Sequence, residues 1–338
     1  MVAEASKPAS QLKVVIHDLA FDFHGRRMAT CDSNEIVRIY EVTDDDQLIE
    51  KDYIRAHKAA VWKVTWAHPE FGSILATCSF DKYIHVWEEI AGDDNKTVWK
   101  QVDKRVDSYS FVTDIRFAPK HFGLCLASVN HSGTVFQYIP DDDCNSWKKL
   151  WDDDLKMSLS SVSWSQSSLH PQLLAVASDS NEALTKSKLI VYEKIKHNVK
   201  QSWKKLAYDF LLMHTAINDL CFAPDVGRSY QHLAVASAQL MIFTLKPVKS
   251  QNDDLVYRNI APELLGDSKA PAWRVSWNVT GTVLAASYND EHIRIFQNIN
   301  CKWHVKKTIP PDASVPMQLT FQRELSASMN SKSTFKPV

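Results

Sequence analysis

The chain of 338 residues has few of the features that would indicate catalysis or metal binding. It contains only eight glycines and no GxxxxGK loop, so the phosphate-binding loop of nucleotide-binding enzymes is not predicted. Its six cysteines form no CxxC pair and its thirteen histidines form no HxxxH pair. Because zinc sites and disulfide frameworks depend on such spacings, we expect no metal, no cofactor and no structural disulfides.

Charge and hydropathy exclude further classes. No run of eighteen apolar residues is present and the first eleven residues have no apolar signal core, so neither membrane insertion nor secretion is predicted. The net charge of -1 offers no electrostatic footprint for nucleic acid, and direct nucleic-acid binding is not expected. The composition, 45% hydrophobic and 23% charged, is that of a globular protein of the cytosol or nucleus.

What the sequence does contain is a unit that recurs six times. Its clearest copy, residues 61–87, holds the apolar-alternating runs VWKVTW, SILATCS and YIHVW separated by turn residues, which predicts three antiparallel strands joined by hairpins. The aromatic residue that closes each copy stands at position 40, 87, 138, 192, 243 or 296, a spacing of 47 to 54 residues. That period is in the range of propeller blades or slightly longer.

A fourth strand-like run follows each copy, at residues 47–54, 97–103, 146–152, 202–208, 255–260 and 302–309. Six four-stranded antiparallel sheets around an axis make an all-β propeller. We predict blades at about 12–54, 61–103, 111–152, 159–208, 216–260 and 271–309, between a flexible N-terminus (1–11) and a flexible polar tail (310–338).

The strand count bears on how the ring closes. Propellers are usually latched by a blade built from both chain ends, but here each unit owns all four of its strands. The sequence therefore favours an open ring, whose first and last blades leave a face that strands from another chain would cover. Direct closure of the six blades on each other stays open as the alternative.

The second unit carries a polar set at His57, Thr77, Asp81 and Trp87. This spacing resembles the His, Ser/Thr, Asp and Trp hydrogen-bond relay of WD-repeat blades. Buried polar networks are tolerated when satisfied, and then they fix local geometry. We expect a structural relay and not a catalytic dyad, because the sequence marks no nucleophile or acid/base group aimed into a shared cleft. The chain is not predicted to be an enzyme.

A closer resemblance covers residues from about 15 to 300 and includes loop residues that no fold requires. The chain resembles the Seh nucleoporins, WD-repeat scaffold proteins related to the Sec-type coat propeller. It departs from them at residues 179–187, in the Asp-rich linkers and at both termini. The segments that carry the resemblance are FDFHGRRMATC (21–31), VTWAHPEFG (64–72), CSFDKYIHVWEE (78–89), FAPKHFGL (117–124), FAPDVGRSYQHLAVA (222–236), IFTLKPV (242–248) and WRVSWNVTGTVLA (273–285).

The resemblance implies an open six-bladed propeller that receives an insertion blade from an α-solenoid nucleoporin, among the other subunits of the outer-ring Y-complex. The implied role is nuclear pore assembly and transport of protein and mRNA at the nuclear envelope. It also implies a second role with GATOR complex subunits in TOR signalling at lysosomes, and an association with kinetochores. The alternatives are a peptide-recognition WD-repeat adaptor, of the ligase or chromatin-reader type, and a Sec-type vesicle-coat propeller.

Strand alternation suggests residues for the seam that a partner blade would fill, although it leaves open which face of each blade looks into the gap. The predicted seam residues are Leu12, Val14, Ile16, Phe21, Ile36 and Ile39 from the first unit, and Val275, Trp277, Leu284 and Ile295 from the last.

The first positions of the innermost strands are predicted to ring one mouth of the central channel. Peptide binding there and mutual satisfaction of the charges are the two readings. These positions are Asp18, Lys63, Asp114, Ser161, Asp219 and Arg274.

Overall fold

A computed structural model describes twelve stretches of the chain. They are residues 14–45, 47–92, 97–106, 110–141, 146–180, 187–196, 201–206, 211–225, 227–249, 255–266, 270–300 and 302–311. The predicted flexible N-terminus, the seam residue Leu12 and all of the predicted tail beyond residue 311 lie outside these stretches.

The first three blades contain twelve strands. Blade 1 consists of β1 (Ile16–Phe21), β2 (Arg27–Asp32), β3 (Ile36–Val42) and β4 (Leu48–Arg55). Blade 2 consists of β5 (Val61–Trp66), β6 (Ile74–Ser79), β7 (Ile84–Ala91) and β8 (Thr97–Arg105). Blade 3 consists of β9 (Val112–Phe117), β10 (Leu126–Asn130), β11 (Thr134–Pro140) and β12 (Trp147–Asp154).

The last three blades contain the other twelve. Blade 4 consists of β13 (Ser161–Trp164), β14 (Leu173–Ala177), β15 (Leu189–Lys196) and β16 (Gln201–Lys205). Blade 5 consists of β17 (Asp219–Phe222), β18 (Gln231–Ala236), β19 (Leu240–Lys249) and β20 (Leu255–Leu265). Blade 6 consists of β21 (Ala272–Trp277), β22 (Val283–Tyr288), β23 (Ile293–Ile299) and β24 (Lys302–Ile309).

Each blade is an antiparallel sheet in which neighbouring strands are consecutive in the sequence. The six-bladed, four-stranded propeller predicted from the repeat is therefore confirmed, and among the described residues no sheet combines strands from both chain ends. In blades 2 to 5 the inner and second strands are mostly buried, whereas outer strands such as β4 and β24 are mostly exposed. This gradient follows from radial packing, since only the inner strands have neighbours on both faces.

The hydrophobic core is divided among the junctions between blades. Five clusters of buried residues join blades 1 and 2, 2 and 3, 3 and 4, 4 and 5, and 5 and 6. Within the described stretches, no cluster of this kind and no comparable strand packing joins blade 6 to blade 1. The ring of blades is therefore interrupted at this edge, in agreement with the strand count.

Candidate functional site

One position of the innermost strand distinguishes blade 1 from the other five blades. This position directly follows the predicted channel residue of the strand. The side chain there is at most 8% exposed in blades 2 to 6, whereas Leu19, the equivalent residue of blade 1, is 52% exposed. The five buried equivalents are Val64, Ile115, Val162, Leu220 and Val275. Each of them belongs to the cluster shared with the preceding blade. Leu19 has no preceding blade to pack on.

Two positions further along the inner strand lies an aromatic residue, and here too the residue of blade 1 is exposed. In blades 2, 4 and 6 it is a tryptophan whose indole N–H donates to a carbonyl of the preceding blade: Trp66 to Ala20 at 3.0 Å, Trp164 to Arg116 at 3.0 Å and Trp277 to Cys221 at 3.0 Å. The equivalent residue of blade 1 is Phe21, which has no indole N–H and is 52% exposed. The edge strand of the gap thus presents an apolar ring without a neighbour.

The wall that blade 1 contributes to the gap is apolar and aromatic. Register pairing places Leu19 opposite Thr30, Arg38 and Tyr53 across the sheet, and places Phe21 opposite Met28 and Tyr40. Ile16 and Tyr53 on this face are also exposed. Such a contiguous exposed patch is typical of an interaction surface.

The wall that blade 6 contributes is aliphatic with basic ends. One row across the sheet contains Arg274, Ser287, Ile293 and Ile309, and the next row contains Ser276, Ala285, Ile295 and Lys307. These rows alternate with Val275, Leu284 and Phe296, which belong to the cluster shared with blade 5. Since successive residues of a strand point to opposite faces, the two rows face the gap.

Four of the predicted seam residues need correction. Ile39 packs in the cluster between blades 1 and 2, and Val275, Trp277 and Leu284 pack in the cluster between blades 5 and 6. The physical reason is that side chains alternate between the two faces of a strand. If the wrong face of a strand is assigned to the gap, every residue named from that strand is wrong.

The remaining predicted seam residues lie as follows. Ile16, Phe21, Ile36 and Ile295 lie on faces that look toward the gap by strand alternation, and Val14 is exposed just before β1. The sequence prediction missed four further residues of the two walls, Leu19, Tyr53, Ile293 and Ile309. Comparison of aligned inner-strand positions would have drawn attention to Leu19, because the repeat places it at the position of Val64.

The predicted channel residues form a chain of polar contacts from blade 1 to blade 5. Lys63 Nζ lies 3.7 Å from Asp18 Oδ1 and 3.7 Å from Asp114 Oδ1. The hydroxyl of Ser161 is 3.0 Å from a carboxylate oxygen of Asp114 and 3.0 Å from one of Asp219. These polar contacts lie in the interior of the channel, because Lys63, Asp114, Ser161 and Asp219 are all buried.

The same three carboxylates tie their own blades to the next one, at the junctions of blades 1 and 2, 3 and 4, and 5 and 6. Asp18 accepts from the main-chain N–H of Val64, Asp114 from that of Val162 and Asp219 from that of Val275. The channel side chain therefore points toward the following blade. Arg274, the sixth member, is exposed, and strand alternation places it on the face of β21 opposite to Val275; its charge also acts on Asp114.

The electrostatics of the channel keep its central acid ionised. Burial by itself raises the pKa of Asp114, but the charges of Lys63 and Arg116, the N–H of Val162 and the charge of Arg274 outweigh it, so the pKa lies below its ordinary value. Asp114 in turn raises the pKa of Arg116. Lys63 Nζ lies at ion-pair distance from both carboxylates but has no hydrogen-bond partner within the described residues.

The relay residues of blade 2 are brought together. His57 Nδ1 is 3.0 Å from Asp81 Oδ2, His57 Nε2 is 2.9 Å from Thr77 Oγ1, and the indole N–H of Trp87 donates to Thr77 Oγ1 at 3.1 Å. Burial raises the pKa of Asp81, but hydrogen bonds with His57 and with the main chain outweigh it and hold this pKa well below its ordinary value. Both ring nitrogens of His57 lie within hydrogen-bond distance of partners in the same blade. The four residues therefore connect the turn after β6, where Asp81 lies, to the segment before β5, where His57 lies.

A groove lies on the outer side of the junction between blades 1 and 2. It measures about 780 Å³ and is lined in part by Arg27, Glu41, Lys51, Glu89 and Trp99. Arg27 pairs with Glu89 at 2.6 Å, and Lys51 pairs with Glu41 at 2.7 Å. These charges satisfy each other and form no arrangement of nucleophile and base.

Metal clusters and membrane-spanning helices are both absent from the described residues. No group of three or more His, Cys, Asp or Glu side chains there could hold a metal ion. No helix in the described part of the chain is both long enough and apolar enough to cross a membrane.

Comparisons with known proteins bear on the family. The model of the WD domain, G-beta repeat, matches residues 50–88, the stretch that contains the relay. A chain from the solved structure titled "Crystal Structure of Mitotic Checkpoint Complex" aligns with a TM-score of 0.60 at 13% identity, over 85% of this chain and 76% of that chain. At this identity the likeness shows the propeller fold alone.

Whole-chain relatives are more specific. Nucleoporin SEH1-B of Xenopus laevis is 37% identical over 341 residues, covering 96% of this chain and 93% of the relative. Nucleoporin SEH1 of Homo sapiens is 38% identical over 302 residues, covering 86% and 83%. Nucleoporin SEH1 of Xenopus tropicalis is 39% identical over 304 residues, with the same coverage. The resemblance found in the sequence is confirmed, and this chain belongs to the Nucleoporin SEH1 family of WD-repeat propellers.

Proposed function

We propose that this protein is a non-enzymatic scaffold subunit of the outer-ring Y-complex of the nuclear pore. In this proposal an α-solenoid nucleoporin inserts a blade in trans between blades 6 and 1, and the assembled subunits support pore assembly and transport of protein and mRNA at the nuclear envelope. The observation that carries the proposal is Leu19, which is 52% exposed at a position that is buried in every other blade.

The energetics of the edge favour such an insertion. Ile16, Leu19 and Phe21 are each more than half exposed. Full burial of one large apolar side chain contributes roughly 1.5 to 3 kcal/mol, so a blade that covers these three side chains and the facing isoleucines of blade 6 would gain several kcal/mol.

A second assembly belongs to the same proposal. Family resemblance suggests that the protein also serves in the GATOR complex, which regulates TOR signalling in response to amino acids at the lysosomal surface, and that it associates with kinetochores. The same edge would receive a comparable blade there. One edge cannot hold two blades, so membership of the two assemblies would be mutually exclusive for a single copy.

The competing functions are less well supported. A peptide-recognition adaptor would offer exposed binding groups at the channel mouth, whereas Lys63, Asp114, Ser161 and Asp219 are buried against each other. A Sec-type coat propeller would use a similar open edge but a different solenoid. The identity of the solenoid bound in cells separates that alternative from the proposed function.

The test uses the full-length chain and the α-solenoid nucleoporin of the same organism. Hydrogen exchange of the main-chain amides of β1 and β21 should be fast in the free chain and slow in the complex. Leu19→Glu should weaken binding at least tenfold, whereas Val98→Glu, a matched change at a 51% exposed apolar residue on the outer strand of blade 2, should leave it unchanged. Full protection of β1 in the free chain, with no change on addition of the partner, would overturn the proposal.

A further inference from the structure

We infer that the blade inserted at this edge presents an acidic face to blade 6 and an uncharged, apolar face to blade 1. The inference rests on the proposed function and specifies the chemistry of the partner. It derives from the different charge of the two walls, from the unpaired state of two basic side chains, and from the contacts that equivalent side chains make at the closed junctions.

The wall of blade 6 carries positive charge only. Arg274 lies at its channel end and Lys307 toward its outer side, and the isoleucines 293, 295 and 309 lie in the same two rows. These rows contain no Asp or Glu. Among the described residues, neither Arg274 nor Lys307 forms a salt bridge. Lys302, opposite Ile299 at the far end of the same face, adds a third positive charge.

The wall of blade 1 is balanced in charge. Asp32 is buried and pairs with Arg38, and Arg38 Nε is also 3.9 Å from Glu50. Arg55, opposite Ile36, brings the count on this face to two acids and two bases. Between them lie Leu19, Phe21 and Tyr53, all more than half exposed. The wall therefore offers hydrophobic area without a net charge to complement.

The closed junctions show what Arg274 would meet. Lys63 holds the same position in blade 2, and its partner in the following blade is the carboxylate of Asp114 at 3.7 Å. Arg274 holds the same channel position in blade 6, but it is exposed and no following blade packs on it. An acid on the inner strand of the inserted blade would meet Arg274 as Asp114 meets Lys63.

Desolvation strengthens the preference of blade 6 for an acidic partner face. Insertion of a blade would remove Arg274 from water, and a buried charge without a partner costs several kcal/mol. An inserted face with basic residues would add repulsion between like charges, so the blade 6 wall also selects against such partners. Because the opposite wall is neutral, the charge distribution orients the incoming blade as well as attracting it.

The experiment measures binding of the full-length chain to the full-length α-solenoid nucleoporin at several salt concentrations. The double variant R274E/K307E should lose at least tenfold in affinity and should show a flatter dependence on salt than the wild type, since exposed charge pairs are screened by salt. The neutral double variant R274Q/K307Q should lose about threefold. Lys204→Glu, an exposed lysine on the outer strand of blade 4, is the matched control and should bind as the wild type does.

The outcomes separate this inference from the proposed function. If Leu19→Glu abolishes binding while both double variants bind with wild-type affinity and wild-type salt dependence, the acidic face is refuted and the scaffold role stands. If the wild-type chain does not bind the solenoid, the proposed function itself fails. Both double variants replace exposed side chains, and because the charge of Arg274 also acts on Asp114, thermal unfolding of each variant is measured beside its binding. Restoration of R274E/K307E binding by replacement of partner acids with lysine would support the inference directly.

Discussion

The imidazole of His57 stacks on the imidazole of His85, with ring centroids 4.1 Å apart and planes 9° apart. His57 is held by Asp81 and Thr77, and His85 on the adjacent strand β7 is itself buried. Burial, together with the charge on His57, lowers the pKa of His85 to about 4. The relay thus extends from hydrogen bonds into a ring stack that requires a neutral His85.

The first prediction concerns the dependence of stability on pH. His85 in the folded chain binds a proton near pH 4, whereas in the unfolded chain it binds one near the ordinary value of 6.5. As the pH drops from 6.5 toward 4, His85 binds a proton in the unfolded chain before it does so in the folded chain. The free energy of unfolding should therefore fall over this pH range. His232, whose pKa burial also lowers to about 4, should add to this slope. Urea unfolding at intervals between pH 4 and 7.5 measures the effect.

Substitution tests the assignment of that slope. His85→Phe keeps a ring on His57 but removes the titration, so the loss of stability between pH 6.5 and 5 should shrink by on the order of 1 kcal/mol. His24→Gln at an exposed histidine is the control and should leave the slope unchanged. An identical slope in the wild type and His85→Phe would contradict the prediction.

The second prediction concerns the relay carboxylate. Asp81→Asn should lower the free energy of unfolding by about 1 to 3 kcal/mol, because buried His57 loses its charged partner. Asp290 lies at the equivalent turn of blade 6, where it pairs with Arg294 near the surface. Asp290→Asn should therefore cost less than half as much in the same denaturation assay. Equal losses in the two variants would show that the relay adds nothing beyond the turn.

The third prediction concerns the turn between β10 and β11. Gly133 has a φ of 104°, and a Cβ added there would lie 2.6 Å from the carbonyl oxygen of Met157. Gly123 also has a positive φ, 81°, but no atom lies within 4 Å of an added Cβ. Both alanine variants are strained, so Gly123→Ala should cost about 1 kcal/mol and Gly133→Ala about 3 kcal/mol. Thermal and denaturant unfolding of the pair isolate the clash, and similar losses would argue against it.

The fourth prediction concerns the channel. Asp114→Asn should destabilise the chain by about 3 kcal/mol, because it leaves the buried charge of Lys63 without one of its two carboxylates. The double variant Lys63→Met, Asp114→Asn should be more stable than the sum of the single losses implies, since the unpaired charge is then absent. Additive losses, measured by urea unfolding of all four chains in the cycle, would refute the coupling.

Much of the fold could be read from the sequence because a propeller is a local structure repeated. The runs ending at Tyr40, Trp87 and Tyr138 recur at a nearly constant period, and each hairpin is bounded by its own turn residues. His57, Thr77, Asp81 and Trp87 could be grouped for the same reason, since they lie within 31 consecutive residues of one blade. Short-range spacing suffices where contacts are close in sequence.

The seam residues are harder to predict, because they differ from equivalent residues of other blades only in having no neighbouring blade packed on them. Leu19 and Val64 are aligned in the repeat and are both aliphatic, yet one is half exposed and the other buried. Strand alternation in the sequence places Ile39 and Val275 at the gap, whereas both face closed junctions. A shift of one residue reverses the face of a strand, and local propensity has no means of choosing between the faces.

The sequence by itself determined the number of blades, the order of their strands and the relay of blade 2, since these depend on hydrophobic period and on contacts between near neighbours. Only the tertiary structure decided that blades 6 and 1 do not pack on each other, that Arg274 is left exposed on the face of blade 6 opposite to blade 5, and that the two walls differ in charge. Those properties arise from side chains more than 250 residues apart in a 338-residue chain, such as Leu19 and Arg274, whose relative position exists only once the ring has formed.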